Sequence, residues 1–418
     1  MKKLWLFVCV FALLLSACGG GNSPQVTDTA PPPLPTATAT EVIPTPTPTP
    51  TATLAFPQGY LNSTLPVSGA YAPELESIDQ DFLEFLQARQ IGAAQLVIVK
   101  DGVVVLNHAY GWYDAEHKRS FTTDGVMRIA SVTKPITNAA IRKLMNEGKL
   151  SSIQNVFCLE SSPKDCLLTI EPNTGATIDP RLNKIMVSHL LNHSGGWDRD
   201  ASFDPMFASI RIADGLAISS PPDKYQIAQY MLGQKLDFDP GSKEAYSNFG
   251  YSLLGQIIEK VTGKSYIQYI QEDLFAPLGV TDVYLAHSLP ESRQPNEPYY
   301  ECMGKAVSVY DPSKQVCWPD GRFSIEAMDS HGGLLISASS VAKFLDAYCI
   351  DGNPSSGPGK CGTYTFYGSL DGTLSLVVQR PDGINYVAIL NNRWDKKNGD
   401  YDNVKDVIDE AIKSLVED

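Results

Sequence analysis

Ser131 and Lys134 stand three residues apart in Met127-Arg128-Ile129-Ala130-Ser131-Val132-Thr133-Lys134-Pro135. A hydroxyl and an amine at that spacing share one face of a helix, so the amine lies beside the hydroxyl. A lysine withdrawn from water loses its proton more readily, and a neutral amine is a competent base for a serine nucleophile. Backbone N–H groups in a first helical turn lack intrahelical partners and are suited to holding an oxyanion. The same spacing recurs in Ser161 with Lys164 and in Ser340 with Lys343, so spacing does not decide. Context does. Ser161 sits between Cys158 and Cys166, and Ser340 opens a helix running through Ala342, Phe344 and Leu345. Ser131 follows an apolar approach and begins a helix whose core face is Ile136, Ala139, Ala140, Leu144 and Met145. Pro135 is tolerated because it falls in the first turn.

A second polar group, Tyr246-Ser247-Asn248, lies between the turn at Pro240-Gly241 and a helix bearing Leu253, Leu254, Ile257, Ile258 and Val261. A tyrosine beside a lysine can relay a proton, and an asparagine can bind a substrate amide. A capped helix start would need only one of these polar groups, and on these residues both readings stay open. His189 and His193 have the i,i+4 spacing of a zinc helix but no carboxylate between them. Histidines packed near a helix end are the preferred reading, and no metal or other cofactor is expected. The formal charge is −14 and no Lys/Arg run is present, so nucleic acid is not an expected partner.

These residues need a frame. Leu75, Ile78, Phe82, Phe85 and Leu86 recur at helical spacing near a folded start at about Tyr71. Gln95–Val99, a turn at Asp101-Gly102 and Val103–Leu106 form a hairpin signal. A second hairpin, Leu374–Val378 and Tyr386–Leu390, turns at Pro381-Asp382-Gly383. A closing helix then carries Val404, Val407, Ile408, Ala411, Ile412 and Leu415 on one face. Helix, hairpin, a long middle, hairpin and helix predict an antiparallel sheet built from both chain ends, with an inserted helical region.

Lys2 and Lys3 precede an apolar run, Leu4–Leu15, too short to span a bilayer by itself. It ends in Leu15-Ser16-Ala17-Cys18, which resembles the lipobox of bacterial lipoproteins. That likeness implies a signal peptide over residues 1–17 and a lipid anchor on Cys18; an ordinary signal peptide with an incidental cysteine is the alternative. Either way the chain leaves the cytoplasm, and the lipid would tether it to a membrane face. Residues 18–57, rich in Pro and Thr, read as a stalk that cannot bury a core. The domain is assigned to 58–418. Export makes its cysteines, Cys158, Cys166, Cys302, Cys317, Cys349 and Cys361, disulfide candidates. Six cysteines allow 15 pairings. Neighbour pairing closes three short polar loops, each worth about 3 kcal/mol by loop entropy. Buried free thiols are the competing reading.

Together, Ser131-x-x-Lys134 and Tyr246-x-Asn248 resemble the serine β-lactamase and penicillin-binding superfamily, in its class C, esterase and D-alanyl peptidase branch. Val187-Ser188-His189-Leu190-Leu191-Asn192-His193-Ser194-Gly195-Gly196 is similar to the family's HLLxHTSG segment, and Gly332-Gly333-Leu334 before a helix also matches. The resemblance implies an α/β (α+β) sandwich, an antiparallel sheet flanked by helices with a mainly helical inserted region. It implies acylation of Ser131, proton handling by Lys134 and Tyr246, and substrate positioning by Asn248. A third motif, expected on the strand before the C-terminal hairpin, falls at Phe366-Tyr367-Gly368-Ser369-Leu370-Asp371-Gly372-Thr373. Relatives read His-Gly-Gly-Ser-Leu-Pro-Gly-Thr there, so Phe366 replaces the histidine. Tyr367, Gly368 and Ser369 remain as substrate-binding positions, Ser369 with a backbone N–H for the oxyanion hole. The lost cationic or imidazole group argues against carboxylate-bearing substrates. His331-Gly332-Gly333 fits His-x-Gly by letters, but it precedes a helix and is expected to lie outside the pocket. The expected function is an exported serine hydrolase acting on ester, amide or peptidoglycan-derived substrates. A surface binding protein that keeps the fold without full activity is the alternative.

Overall fold

The structure is a computed structural model, and it describes residues 54–159, 162–393 and 401–413. Cys18, Ser161 and Leu415 lie outside the described residues, as do the signal peptide and most of the stalk.

Six strands form the main sheet: Val67–Gly69 (β1), Ala93–Lys100 (β2), Val103–Gly111 (β3), Tyr364–Leu370 (β4), Thr373–Gln379 (β5) and Ile384–Leu390 (β6). Their spatial order is β1-β3-β2-β6-β5-β4, every pairing antiparallel. The β2–β3 and β5–β6 hairpins are the two expected from the sequence. Val97 pairs with Val387, joining the two chain ends at the sheet centre.

Alternation along these strands separates two cores. Ala94, Leu96, Ile98, Leu376, Val378, Tyr386 and Ala388 face the helices Glu76–Ala88 (α1) and Tyr401–Ala411, through Ile78, Phe82, Leu86, Val404 and Ile408. Ala93, Val97, Val99, Val377, Val387 and Ile389 face the opposite core, which includes Thr133–Asn146 (α2), the helix that follows Ser131, with Asn248–Thr262 (α3) and Ala338–Ala347 (α4). The terminal helix is α5. Gln95 interrupts the apolar side of β2, yet its amide donates to Gly125 O at 2.9 Å and accepts from Ala338 N at 2.9 Å. A buried amide with both ends satisfied costs little and ties the sheet to the inserted region.

Three features depart from the sequence reading. The fold takes in residues ahead of Tyr71: β1 pairs with β3, Leu54 bridges to Tyr71, and the Phe56 ring lies 5.2 Å from that of His108. Val67-Ser68-Gly69 is too short to show alternation. A strand, Leu334–Ile336, separates the Gly332-Gly333 turn from α4. It pairs with Met127–Arg128 and Tyr284–Leu285 in a small second sheet. Ser340 does not open α4; Ser337 caps it and accepts from Ser340 N at 3.2 Å.

The cysteines pair as neighbours: Cys158–Cys166, Cys302–Cys317 and Cys349–Cys361, with Cα separations of 5.2, 5.3 and 5.3 Å. The free-thiol alternative is thereby set aside. Among the described residues no helix is long and apolar enough to cross a membrane.

Candidate active site

The short strand Met127–Arg128 delivers the chain to Ser131. Arg128 is fully buried, and its guanidinium donates to Pro319 O at 2.9 Å and His287 O at 2.6 Å. It also lies 4.2 Å over the Tyr300 ring, so the approach is fixed on several sides. Ala130 then takes φ 46°, a left-handed conformation that a non-glycine residue adopts at a cost of order 1–3 kcal/mol. That bend starts a single 3₁₀ turn, Ala130–Val132, which runs into α2. Ser131 therefore projects at the helix start, as its sequence context predicts.

Lys134 Nζ donates to Ser131 Oγ at 3.1 Å and to His331 O at 2.7 Å. Tyr246 OH donates to the same Oγ at 2.9 Å. Among the described residues no carboxylate contacts the amine. Burial disfavours its charge and pulls its pKa below the usual lysine range, while Tyr246 and, more weakly, Asp204 act in the opposite direction. An amine whose charge is disfavoured beside a hydroxyl has the chemistry a general base needs. The Tyr246 ring is held between partners: His193 stacks on it at 4.7 Å, and the Arg199 guanidinium lies 4.7 Å over it. His193 Nδ1 accepts from Ser247 N at 3.1 Å, and burial lowers its pKa to about 4. It is thus a neutral ring that orients Tyr246. His189 Nδ1 accepts from Met186 N at 3.3 Å at the start of its own short helix. Both histidines take the packing roles preferred from sequence.

Asn248 opens α3 and lines the cleft. Its Nδ2 donates to Asp204 Oδ2 at 2.6 Å. A carboxylate accepts only, so this contact fixes the amide and turns its carbonyl oxygen to any other partner. Asp204 is buried, which raises its pKa against the donors Asn248 and Met206 N–H.

On the facing wall, Tyr367 and Ser369 of β4 line the cleft, while Gly368 lets the strand approach. A Cβ at Gly368 would fall 2.2 Å from Ile129 O, 2.3 Å from Ser375 Oγ and 3.0 Å from Ser131 N. Glycine is thus required for the strand to lie against the nucleophile turn. This contact brings the backbone of Ser131 and that of Ser369 to one cleft, as an oxyanion hole requires. Ser375 secures it, donating to Ile129 O at 2.6 Å.

The cleft has a volume of about 480 Å³. It gathers Ser131, Tyr246, Asn248, Tyr367 and Ser369 with residues the sequence reading did not place there: Arg199, Asp200, Asp204, Phe207, Leu370 and Arg393. His331 and Gly332 are a correction, for they line the cleft rather than lying outside it. The cause is the Leu334–Ile336 strand, whose Leu334 O accepts from Ile129 N at 3.1 Å and carries the preceding turn against Ser131. The other Ser-x-x-Lys pairs are excluded or unseen. Ser340 donates to Asp282, and Lys343 donates to Gly279 O at 3.4 Å. Ser161 is outside the described residues.

A family model described as Beta-lactamase matches residues 78–379. A curated relative named "Putative D-alanyl-D-alanine carboxypeptidase", from Escherichia coli K12, is 33% identical over 200 residues, 45% of this chain and 42% of that protein. The chain spans about half the length of the curated relatives it matches. Among solved structures, D-amino acid amidase from Ochrobactrum anthropi SV3 superposes with a TM-score of 0.60 at 21% identity, covering 82% of this chain and 99% of that one. A β-lactamase/D-alanine carboxypeptidase from Yersinia pestis superposes with a TM-score of 0.54 at 16% identity, covering 82% and 100%. At these identities the two structures attest the fold.

Proposed function

Because the chain belongs to the β-lactamase family of serine hydrolases, we propose that it is an exported enzyme that hydrolyses ester and amide bonds through an acyl-enzyme on Ser131. The observation that carries this reading is the Lys134–Ser131–Tyr246 unit, in which amine and phenol both reach the nucleophile oxygen. Ser131 Oγ attacks the substrate carbonyl and its proton passes to the neutral Lys134 amine. The N–H groups of Ser131 and Ser369 receive the oxyanion. Tyr246 relays the proton to the leaving amine or alkoxide as the C–N or C–O bond breaks. A water then attacks the acyl-enzyme by the same route in reverse, releasing the acid and restoring Ser131.

Substrates in this reading are small esters and amides or peptidoglycan-derived peptides, and the name of the E. coli relative supports the latter class. The lipobox-like Leu15-Ser16-Ala17-Cys18 supports a lipid tether on the outer face of the cell membrane or on its periplasmic side. A fluorophosphonate should add one phosphonyl mass to the domain and none to Ser131→Ala, and simple esters should turn over only in the former. No adduct on the folded protein would favour the alternative, a binding protein, for which Phe366 in the third motif is the motivating observation. Fatty-acid labelling of the full chain in a bacterial host, lost in Cys18→Ala, tests the anchor.

A further inference from the structure

The Lys134–Ser131–Tyr246 unit engages only the backbone of His331, whose carbonyl accepts from Lys134 Nζ at 2.7 Å. The side chain has no part in those steps, although His331 lines the cleft with Ser131, Tyr246 and Asn248 and is 2% exposed. Its Nε2 is buried and has no hydrogen-bond partner among the described residues. A buried polar atom left unpaired is costly, and such atoms are kept where a ligand or a water completes them. Burial, with the Lys134 amine nearby, holds the ring well below the ordinary histidine pKa. The imidazole is thus neutral, with one nitrogen donating and the other accepting.

The turn that carries this ring is tied on both sides. Asp329 pairs with Lys224 at 2.5 Å. The Ser330 hydroxyl donates to Tyr251 O at 3.1 Å, and the Ser330 carbonyl accepts from Thr137 Oγ1 at 2.6 Å. At Gly333 the backbone is closely packed, for a Cβ there would fall 2.7 Å from Ile325 O. Little freedom remains for the turn to carry Nε2 to another protein group. Gly332 leaves room at the same place: a Cβ there would come no closer than 3.9 Å, to Ala130 C beside the nucleophile bend. An unpaired ring nitrogen, a fixed turn and open space next to Ser131 fit a small polar molecule held from the cleft.

Deacylation is the step that needs one. Once Ser131 Oγ is esterified it no longer has a proton to share, and a water has to be placed near Lys134 by another group. We propose that the His331 imidazole holds the water that hydrolyses the acyl-enzyme, which makes it a further catalytic residue. The inference rests on the hydrolase reading above and concerns its second half-reaction. One O–H of the water bonds to Nε2 and stays on the oxygen. The other proton passes to Lys134 as that oxygen attacks the acyl carbonyl. The C–O bond to Ser131 then breaks, Ser131 Oγ recovers the proton through Tyr246, and the acid leaves.

The ester p-nitrophenyl acetate separates the two halves, since acylation releases p-nitrophenolate and deacylation frees the enzyme. In rapid mixing, His331→Ala should still give a full burst, then turn over about tenfold or more slowly than wild type. Intact mass should show the acetyl group accumulating on Ser131, while the fluorophosphonate rate stays within about threefold of wild type. His331→Asn, which keeps a polar side chain, should recover part of the turnover. Undiminished turnover in His331→Ala, or burst and turnover slowed by the same factor, would overturn the proposal and leave the hydrolase reading intact; equal slowing would mean that the ring only supports Lys134. If His331→Ala does not fold, His331→Gln is judged by the same two criteria. If neither reagent modifies Ser131 in the folded wild type, the hydrolase reading falls and this inference falls with it.

Discussion

Lys134 and Lys224 are both buried, and both reach the same turn before the Leu334–Ile336 strand. Lys134 donates to the carbonyl of His331, and Lys224 pairs with the carboxylate of Asp329 at 2.5 Å. Lys224 also meets Glu259 at 2.8 Å. Burial pushes both ammonium groups towards neutrality. At Lys224 the two carboxylates outweigh it and hold the pKa above the ordinary lysine value. Around Lys134 the contacting atoms are a hydroxyl and a carbonyl, and the pKa falls. A buried lysine becomes a base when its partners are uncharged and a strut when they are anionic. Lys224 lines a cavity of about 450 Å³, and Ser131 and His331, the partners of Lys134, line a separate one of about 480 Å³. Pocket size says nothing about which of them does chemistry.

That contrast can be broken at either lysine. Lys134→Met should lower the rate of phosphonylation or ester hydrolysis by roughly 10³-fold or more while leaving the fold intact, because it removes the proposed base and a buried amine whose charge is disfavoured. In the wild type the acidic limb of kcat/KM should rise with pH as Lys134 loses its proton, with a midpoint below the ordinary lysine range. A limb at the ordinary lysine value would contradict the uncharged environment described for it. Lys224→Met should do the reverse. It strands Asp329 and Glu259 beside apolar surface, so denaturant unfolding should show a loss of about 3–5 kcal/mol, with the pH profile of catalysis in place.

A smaller effect is expected from the ring that orients Tyr246. His193 titrates near 4 in the folded chain and near 6.5 when unfolded. Between these values only the unfolded state takes up the proton, so stability is full above about pH 6.5 and declines as pH falls towards 4. The shift corresponds to about 3 kcal/mol. Thermal unfolding of wild type and His193→Gln from pH 7 to pH 4 should show a steeper acid loss in the wild type. Parallel curves would refute the assignment of a neutral His193.

The smallest change sharpens the picture of Asn248. Asp204→Asn replaces an obligate acceptor with an amide that can present either end, so the orientation of Asn248 is no longer imposed. A fall of about tenfold in kcat/KM for amides is expected, with Ser131 phosphonylation less affected. Equal losses in both assays would place Asp204 in the proton path instead.

How much of this was legible before the fold was known follows from distance along the chain. Ser131 and Lys134 were readable because a helix start brings them together, and their neighbours Ile136, Ala139 and Ala140 announced that helix. Tyr246 and Asn248 were readable as residues but not as partners of Ser131, and family likeness supplied that link. The hairpins at Asp101-Gly102 and Pro381-Asp382-Gly383 were set by local alternation and turn chemistry. Neighbouring cysteines in short polar loops paired as their spacing suggested.

Other parts had no local signal. Val67–Gly69 is too short to show a period, and it is a strand because β3 offers it an edge. His331 had the right letters and was placed outside the cleft, since only the pairing of Leu334–Ile336 with Met127–Arg128 carries its turn to Ser131. Asp204 showed only the look of a residue before a proline; its grip on Asn248 spans two elements. Arg393 meets Asp371 because β5 and β6 run antiparallel and return their ends to one side of the sheet. Sequence by itself determined the Ser131–Lys134 pair at a helix start, that helix, the two hairpins and the order of motifs, because those depend on neighbours within a few turns. Tertiary structure decided which buried lysine has its pKa lowered, which way Asn248 faces and which cations line the cleft, because charge, burial and contact there are set by residues far apart in the chain.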